Sequence, residues 1–250
     1  MKNTILLIFA ALLFNLIVKA QEKLPFEKQK VVLTDGTEKL LWISLDEKAD
    51  LLHYKPDENS KPENYNPSDV VSFEYANQQY YSLPMRDGYF TFFKVYHEGQ
   101  EYAVLEKSPS YKALRVIAEE SNGEYSFCQN SINDKFYLCY RDSNTFGSGS
   151  RTVYNQAFYG SYIRKFVVDK IVYLAIEGKL KLFYLETDER LNPFDNGTGA
   201  RPGRYKTEEM LSKFIEDEQK IKTIQKKVKK NKLDIRFPPH LVIALESVYH

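Results

Sequence analysis

The alternation of polar and apolar side chains along residues 65–107 predicts a series of β-strands. Val71, Phe73 and Tyr75 fall on one face of the first strand, and the residues between them are polar. Successive side chains of a strand point to opposite faces, so this spacing is typical of a strand with one buried face. The chain repeats the same pattern on either side of this block.

Tight-turn residues divide the block into two consecutive hairpins. Ala76-Asn77 lies in the first hairpin and Glu98-Gly99 in the second. Asn and Gly both tolerate the positive φ that short hairpin turns require. One strand of the second hairpin, Tyr89 to Tyr96, is apolar at nearly every position, which predicts cover on both faces. We expect the C-terminal helices to cover this strand.

Further hairpins are predicted before and after the block. A polar residue followed by glycine between β-type runs is a strong hairpin signal, and it occurs at Asp35-Gly36, Asn122-Gly123 and Glu177-Gly178. Tyr111 to Ala118 is predicted to be another strand, and the turn at Asn122-Gly123 leads from it into a strand at Tyr125 to Cys128.

The period of the pattern changes after residue 206. Thr207 is placed to cap a helix, and Pro238-Pro239 starts a second, short helix at His240 to Val248. Apolar residues of the first helix recur at helical spacing, at Met210, Leu211, Phe214, Ile215, Ile221, Ile224 and Val228.

Strands first and helices last predict an α+β protein, namely a mainly antiparallel β-sheet of consecutive hairpins followed by two C-terminal helices. The β-rich domain is assigned to residues 21–187 and the helical segment that packs on the sheet to 207–250. A connector rich in Gly, Pro and Asn joins them at 188–206. A chain of this length can bury a sizeable core.

Residues 1–20 have the features of an export signal peptide. Lys2 provides the positive start, and Ile5 to Val18 form an apolar run that is shorter than the about 20 residues of a membrane-spanning helix. Val18 and Ala20 have small side chains at the two positions that signal peptidase reads, so cleavage is predicted between Ala20 and Gln21. An uncleaved N-terminal anchor is the alternative. No later stretch of the sequence is apolar enough for a transmembrane span. We expect the protein in the periplasm or outside the cell.

The charge of the chain excludes one class of partner. The formal net charge is +1, and the loss of Lys2 and Lys19 with the signal peptide changes it only slightly. A general nucleic-acid binder carries a strongly basic domain, so nucleic acid is not expected as a partner. The 19 Tyr and 16 Phe suit an exported sheet protein, because a tyrosine ring packs while its hydroxyl meets water or a partner.

The two cysteines, Cys128 and Cys139, flank a predicted hairpin turn at Gln129 to Asp134. Export would place them in an oxidising compartment, where such a pair can close a structural disulfide. Two buried free thiols are the alternative. Their spacing is too long for a CxxC redox site.

The order of these features resembles a family of uncharacterised exported proteins of the Bacteroidetes type. The resemblance lies in VVLTDGTEKLLWISL, YNPSDVVSFEYANQQYYS and GYFTFFKVYHEGQEYAVLEK, and in the amphipathic helix followed by LVIALESVY. It covers most of the chain after the signal peptide. It implies an exported β-rich module with C-terminal helices, and it implies no catalytic residue.

No catalytic residue, metal ligand or cofactor is predicted. None of the four histidines lies within metal-ligand spacing of another histidine or of a cysteine. The glycine- and serine-rich run at residues 147–151 lacks both the nucleophile elbow G-x-S-x-G and the phosphate-loop ending G-K-[ST]. A site made of dispersed carboxylates would leave no such motif.

The most concentrated charge in the sequence is the run of four lysines Lys226, Lys227, Lys229 and Lys230. One interpretation is contact with an anionic surface such as a lipid headgroup layer. The other is a solvated helix end, where cations complement the helix dipole.

These observations favour an exported, non-enzymatic module that binds a partner or supports envelope structure. Its expected partner is an envelope protein, a peptide or a glycan. The alternative is an exported hydrolase with a carboxylate-based site that a single sequence does not reveal.

Overall fold

A computed structural model gives the structure of the protein and describes residues 25–86, 88–120, 125–128, 136–142, 162–187 and 207–249. Four sequence predictions lie outside these ranges: the signal peptide with its cleavage site between Ala20 and Gln21, the turn at Asn122-Gly123, the hairpin turn at Gln129 to Asp134, and the connector at 188–206.

The described residues form one antiparallel sheet of twelve strands. In chain order the strands are β1 Glu27–Leu33, β2 Glu38–Asp46, β3 Leu51–Lys55, β4 Glu63–Tyr65, β5 Val70–Tyr75, β6 Gln78–Arg86, β7 Tyr89–Glu98, β8 Tyr102–Lys107, β9 Tyr125–Cys128, β10 Tyr137–Asp142, β11 Tyr162–Ile176 and β12 Lys179–Thr187. Their order in the sheet is β4-β3-β2-β1-β5-β6-β7-β8-β11-β10-β9, and β12 pairs with β11. The predicted α+β class with consecutive hairpins is confirmed.

The turns between these strands have positive φ at glycine and asparagine, as these residue types predict, and also at Ala76. Gly36 and Gly178 have φ values of 82° and 75°, and Ala76 and Asn77 have φ values of 52° and 58°. Positive φ at these positions matches the twist of the flanking strands. The hairpins β1–β2, β5–β6 and β11–β12 therefore form where the sequence places them.

The predicted strand at Tyr111 to Ala118 is wrong, because this segment is a helix, α1 (Tyr111–Glu120). The side chains of Ala113, Leu114, Val116 and Ile117 are buried, at the spacing of one helix face. The hydroxyl of Ser110 accepts a hydrogen bond from the backbone N–H of Ala113 at 3.2 Å, as a helix cap does. A short apolar run fits either a strand or a helix, and here tertiary packing selects the helix.

The C-terminal segment contains three helices, α2 (Thr207–Leu211), α3 (Glu218–Asn231) and α4 (Pro238–Leu245). The first predicted helix is thus divided into α2 and α3. The division occurs because the carboxylate of Asp217 accepts hydrogen bonds from the N–H groups of Gln219 and Lys220 and so starts a new helix. Pro238 occupies the first turn of α4, where its missing N–H costs nothing.

Three apolar clusters hold the fold together. The first core is built from β1, β2, β3, β5, β6 and β7 without any helix, and Phe73 and Ile43 are among its buried side chains. The α1 core packs helix α1 onto Phe93 of β7 and Leu105 of β8. The C-terminal core packs α2, α3 and α4 onto β8, β11 and β12.

The cover of β7 differs from the prediction. Thr91, Phe92 and Phe93 are buried in succession, so this strand is covered on both faces as expected. However, Phe93 lies in the α1 core and Phe92 in the first core, whereas the C-terminal helices cover β8, β11 and β12. The expectation that they cover β7 is wrong, because the misassigned helix α1 occupies that position.

Strand β11 is shared by two cores. Its second half pairs with β8 on one edge and with β12 on the other. Ile171 and Tyr173 face the α1 core, while Val172, Leu174 and Ile176 face the C-terminal core.

Within the described ranges, no helix has both the length and the apolar character that crossing a membrane requires.

Candidate functional site

A cavity of about 260 Å³ opens on the sheet between the first core and the C-terminal core. We call it the charged pocket, because six of its ten lining residues are Asp, Glu or Lys. The lining residues are Leu45, Glu47, Tyr80, Phe92, Lys94, Glu106, Lys107, Ser108, Asp169 and Lys170.

One row of side chains across five strands explains where the charged pocket lies. Phe73 is opposite Tyr80, Tyr80 is opposite Lys94, Lys94 is opposite Glu106, and Glu106 is opposite Val172. Residues opposite one another in an antiparallel pair share a face of the sheet. The row therefore begins in the first core at Phe73, ends in the C-terminal core at Val172, and is polar in between.

The turn between β2 and β3 delivers two carboxylates to this place. Asp46 Oδ1 accepts hydrogen bonds from the N–H groups of Lys48 and Ala49, at 3.0 and 2.9 Å, which fixes the turn. Asp50 ends the turn with a φ of 59°, in the left-handed region that Asp visits more readily than most residues. Glu47 and Asp50 consequently point toward β6, β7 and the end of β8.

Asp50 anchors the turn through a fully buried ion pair. The side chains of Asp50 and Lys107 are 1% and 2% exposed, and Asp50 Oδ1 lies 2.8 Å from Lys107 Nζ. The carboxylate also accepts hydrogen bonds from Thr91 Oγ1 at 2.5 Å and from the N–H of Phe92 at 3.2 Å. Both carboxylate oxygens of Asp50 therefore have hydrogen-bond partners. Loss of either member of the ion pair would leave the other as an uncompensated buried charge.

Glu47 has hydroxyl partners in place of a cation. Tyr80 OH donates to Glu47 Oε1 at 2.8 Å, and Ser108 Oγ donates to Glu47 Oε2. Burial raises the pKa of Tyr80, and the negative charge of Glu47 raises it further. Tyr80 therefore stays neutral and acts as a donor at physiological pH. The described residues provide no ion pair that neutralises Glu47.

The remaining charges of the pocket differ in their partners. Glu106 accepts a hydrogen bond from Lys170 Nζ at 3.3 Å and is largely buried. Lys94 is half-buried, and Asp169 is exposed at a register shift of β11 between Val168 and Lys170. Such irregularities re-aim side chains. Within the part of the chain that the structure describes, the side chains of Lys94 and Asp169 have no hydrogen-bond or ion-pair partner.

The pocket thus contains charges of both signs that no partner in its own network neutralises. They are the positive charge of Lys94 and the negative charges of Glu47 and Asp169. Such a site can bind a small charged molecule by hydrogen bonds and ion pairs. Among the described residues, no three His, Cys, Asp or Glu side chains lie close enough together to hold a metal ion.

The four lysines predicted to contact an anionic surface lie in the last turns of α3. Lys226, Lys229 and Lys230 are exposed, and Lys227 is partly buried. The pocket-lining residues all lie in the β-rich domain, so the structure does not bring the lysine run and the charged pocket into one site. Contact with an anionic surface stays a prediction.

The two cysteines lie on neighbouring strands but not opposite one another. The backbone register pairs Cys128 of β9 with Tyr137, and Cys139 of β10 with Ser126. The predicted hairpin between these strands is thus present in the pairing, although the turn at 129–134 lies outside the described ranges. The disulfide stays a prediction.

Two histidines and two adjacent tyrosines of the described residues have ordinary structural surroundings. His53 Nδ1 lies 2.6 Å from Asn64 Oδ1, and His97 stacks on Tyr102 with ring centroids 5.5 Å apart. Tyr80 is buried in the first core, whereas the hydroxyl of its neighbour Tyr81 donates a hydrogen bond to Glu98 Oε2 at 2.7 Å. The alternation of the strand places the two tyrosines on opposite faces.

Sequence reasoning missed the charged pocket. Lys94 and Glu106 interrupt otherwise apolar strands, and that signal marks a polar position on a buried face. Asp50 and Lys107 are 57 positions apart, and no local pattern connects them.

Comparisons of the chain with protein-family models, with curated proteins and with solved structures found no match. The resemblance to exported proteins of the Bacteroidetes type therefore stays a prediction from the sequence.

Proposed function

We propose that the protein is an exported, non-enzymatic binding module and that the charged pocket is its binding site. One observation carries the proposal: Lys94, Glu47 and Asp169 line a single cavity, and the described residues neutralise none of them. Unneutralised charge in a partly buried cavity is costly unless a ligand compensates it.

The surroundings of the pocket support binding to a site that is already formed. Asp46 fixes the β2–β3 turn through two backbone hydrogen bonds, and Asp50 attaches that turn to Lys107. Tyr80 and Ser108 hold the carboxylate of Glu47 in one orientation. A preformed site avoids the cost of ordering its side chains when the ligand arrives.

An exported hydrolase is the second candidate, and one observation favours it. Three carboxylates, those of Glu47, Glu106 and Asp169, line the same cavity, and glycoside hydrolysis uses a pair of carboxylates. Against it, Glu47 and Glu106 are both engaged as hydrogen-bond acceptors, while a general acid must hold a proton for the substrate.

Titration monitored by NMR tests the proposal. The chain without residues 1–20, labelled with ¹⁵N, is titrated with amino acids, monosaccharides, sugar phosphates, short peptides and divalent chlorides. We expect saturable shifts centred on Lys94, Ser108 and Asp169 for one class of probe, and their loss in the double variant Lys94→Gln/Asp169→Asn. Lys28→Gln, an exposed lysine outside the pocket, is the matched control. Shifts confined to residues outside the pocket would overturn the proposal.

The same samples separate binding from hydrolysis. Glycosides, esters and peptides with a chromogenic leaving group are incubated with the unaltered chain and with Glu47→Gln and Glu106→Gln. A binding module leaves every substrate intact. Turnover that either variant abolishes would establish the hydrolase instead.

Export is tested by mass spectrometry of the protein expressed with its own N-terminus. We expect the mass of a chain that begins at Gln21, found outside the cytoplasm. If the protein is found in the membrane fraction with residues 1–20 still attached, this segment is an N-terminal anchor and not a cleaved signal peptide.

A further inference from the structure

We propose that the ligand of the charged pocket is a small zwitterion of the α-amino carboxylate class. Lys94 receives the carboxylate of this ligand, and Glu47 and Asp169 receive its amino group. The inference rests on the proposed binding function, because it specifies the ligand of the same site.

The pairing of charges in the pocket leaves this set of three residues. Lys107 is neutralised by Asp50 at 2.8 Å, and Lys170 is paired with Glu106 at 3.3 Å. Lys94, Glu47 and Asp169 remain, and so do both signs of charge. Glu47 accepts two hydrogen bonds, whereas a carboxylate has about four acceptor positions, so it can accept from an ammonium group as well.

Both signs together favour a zwitterion over a singly charged ligand. A simple carboxylate would satisfy Lys94 and add a negative charge beside Glu47 and Asp169. A simple amine would satisfy the carboxylates and add a positive charge beside Lys94. An α-amino carboxylate satisfies both ends with charge-assisted hydrogen bonds and leaves the net charge of the pocket unchanged.

The size and walls of the cavity restrict the ligand further. A volume of about 260 Å³ lies just below the roughly 300–1,000 Å³ of sites for drug-sized molecules. Leu45 and Phe92 supply an apolar wall among the charges, and a short aliphatic side chain fits against such a wall. The expected ligands are therefore small amino acids, such as alanine and valine, and close analogues of them.

Calorimetric titration of the chain without residues 1–20 tests the ligand class. The probes are L-alanine and L-valine, the carboxylate propionate, and the amine propylamine, at one pH near neutrality and low ionic strength. We expect saturable binding of the amino acids and affinities at least about tenfold weaker for propionate and propylamine, because each of these lacks one charge-assisted contact.

The variants assign the two ends of the ligand. In Lys94→Gln we expect amino acid affinity to fall about tenfold or more, and in Asp169→Asn by a smaller factor, because Asp169 is exposed to solvent. Glu47→Gln keeps the shape of the side chain and removes its charge, and it should weaken propylamine and the amino acids but not propionate. Lys28→Gln should bind all probes as the unaltered chain does.

The outcomes separate this inference from the proposed function. If propionate or propylamine binds as tightly as the amino acids, the ligand class is wrong. If none of the four probes binds, but a sugar phosphate or another probe of the NMR panel shifts Lys94 and Asp169, the ligand class is wrong and the binding function stands. If no probe of either panel affects the pocket, both fail. Circular dichroism and melting of each variant show whether a loss of binding reflects unfolding.

Discussion

The protein attaches two peripheral segments to its sheet in different ways. The β2–β3 turn is attached by the ion pair of Asp50 with Lys107, which is fully buried. The C-terminal helices are attached by the apolar C-terminal core, and their ion pairs with the sheet, such as Lys179 with Glu216, lie at the surface. Charge therefore fixes a position in the first case, and burial of apolar surface provides the attachment in the second.

This difference follows from what each segment has to offer. The turn from Glu47 to Asp50 has too few apolar side chains to bury, so hydrogen bonds of defined geometry have to place it. The helices bury many side chains, Ile224, Leu241 and Leu245 among them, and association by apolar area is not directional. Hence the turn can deliver Glu47 accurately into the pocket, while the helices cover the same face of the sheet further along, over β8, β11 and β12.

The largest effect is expected for Asp50→Ala. This change leaves Lys107 charged and buried without a partner, and loss of one member of a buried pair costs about 3–5 kcal/mol. We expect urea denaturation to show a decrease of that size in the free energy of unfolding.

The double variant Asp50→Ala/Lys107→Met is the control for this change. It removes the unpaired charge, so it should recover part of the loss. A double variant no more stable than Asp50→Ala would mean that Thr91 and the backbone of Phe92, and not Lys107, determine the role of Asp50.

A somewhat smaller effect is expected for Leu245→Ala in the C-terminal core. Leu245 is fully buried, and removal of a buried leucine side chain costs about 2–5 kcal/mol depending on how far the site collapses. The free energy of unfolding from urea denaturation checks the value. Ile243→Ala, at an exposed position of the same helix, should be close to neutral, and equal losses in the two variants would contradict the packing described for α4.

A pH-dependent effect is expected at Asp234, beside the start of α4. Burial raises the pKa of Asp234, but hydrogen bonds from the side chain and backbone of Arg236 outweigh it and hold this pKa below the ordinary value of 3.8. A lowered carboxyl pKa stabilises the folded state above the unfolded-state value, and this contribution is lost as the pH falls through the folded-state value.

Asp234→Asn tests this contribution. We expect the variant to melt at a lower temperature than the unaltered chain near neutral pH and the difference to shrink as the pH falls below 3.8. Melting curves over a pH series measure it. A difference that is constant from neutral to acid pH would show that the ionised form of Asp234 has no special role.

The smallest effect is expected for Lys179→Gln at the surface. The ion pair of Lys179 with Glu216 is exposed to solvent, where salt and water screen such pairs. We expect no resolvable change in melting temperature at moderate salt. A decrease comparable with that of Leu245→Ala would mean that surface ion pairs, and not only apolar burial, attach the C-terminal helices to the sheet.

The sequence predicts local features of this fold better than distant ones. Asn77, Gly36 and Gly178 mark hairpin turns correctly, because a positive φ is a property of one or two residues. For Tyr111 to Ala118 the sequence predicts the wrong class, because a run of this length fits both periods and only packing on Phe93 and Leu105 selects the helix.

The candidate site needed information that no local pattern contains. Lys94 and Glu106 were visible as polar residues in apolar strands, but their position in one row depends on the pairing of β6, β7, β8 and β11. Asp50 meets Lys107 only because the β2–β3 turn folds back onto β7 and β8. Long-range register therefore decides the chemistry of the pocket.

The shared strand β11 has a consequence for how the protein opens. Ile171 and Tyr173 belong to the α1 core, and Val172 and Leu174, alternating with them, belong to the C-terminal core. Separation of either core exposes one side of the same strand, so the two cores should behave as a single cooperative unit in native-state hydrogen exchange. The amide protons of this strand segment would then exchange only through global unfolding, and they would report the stability of the whole molecule.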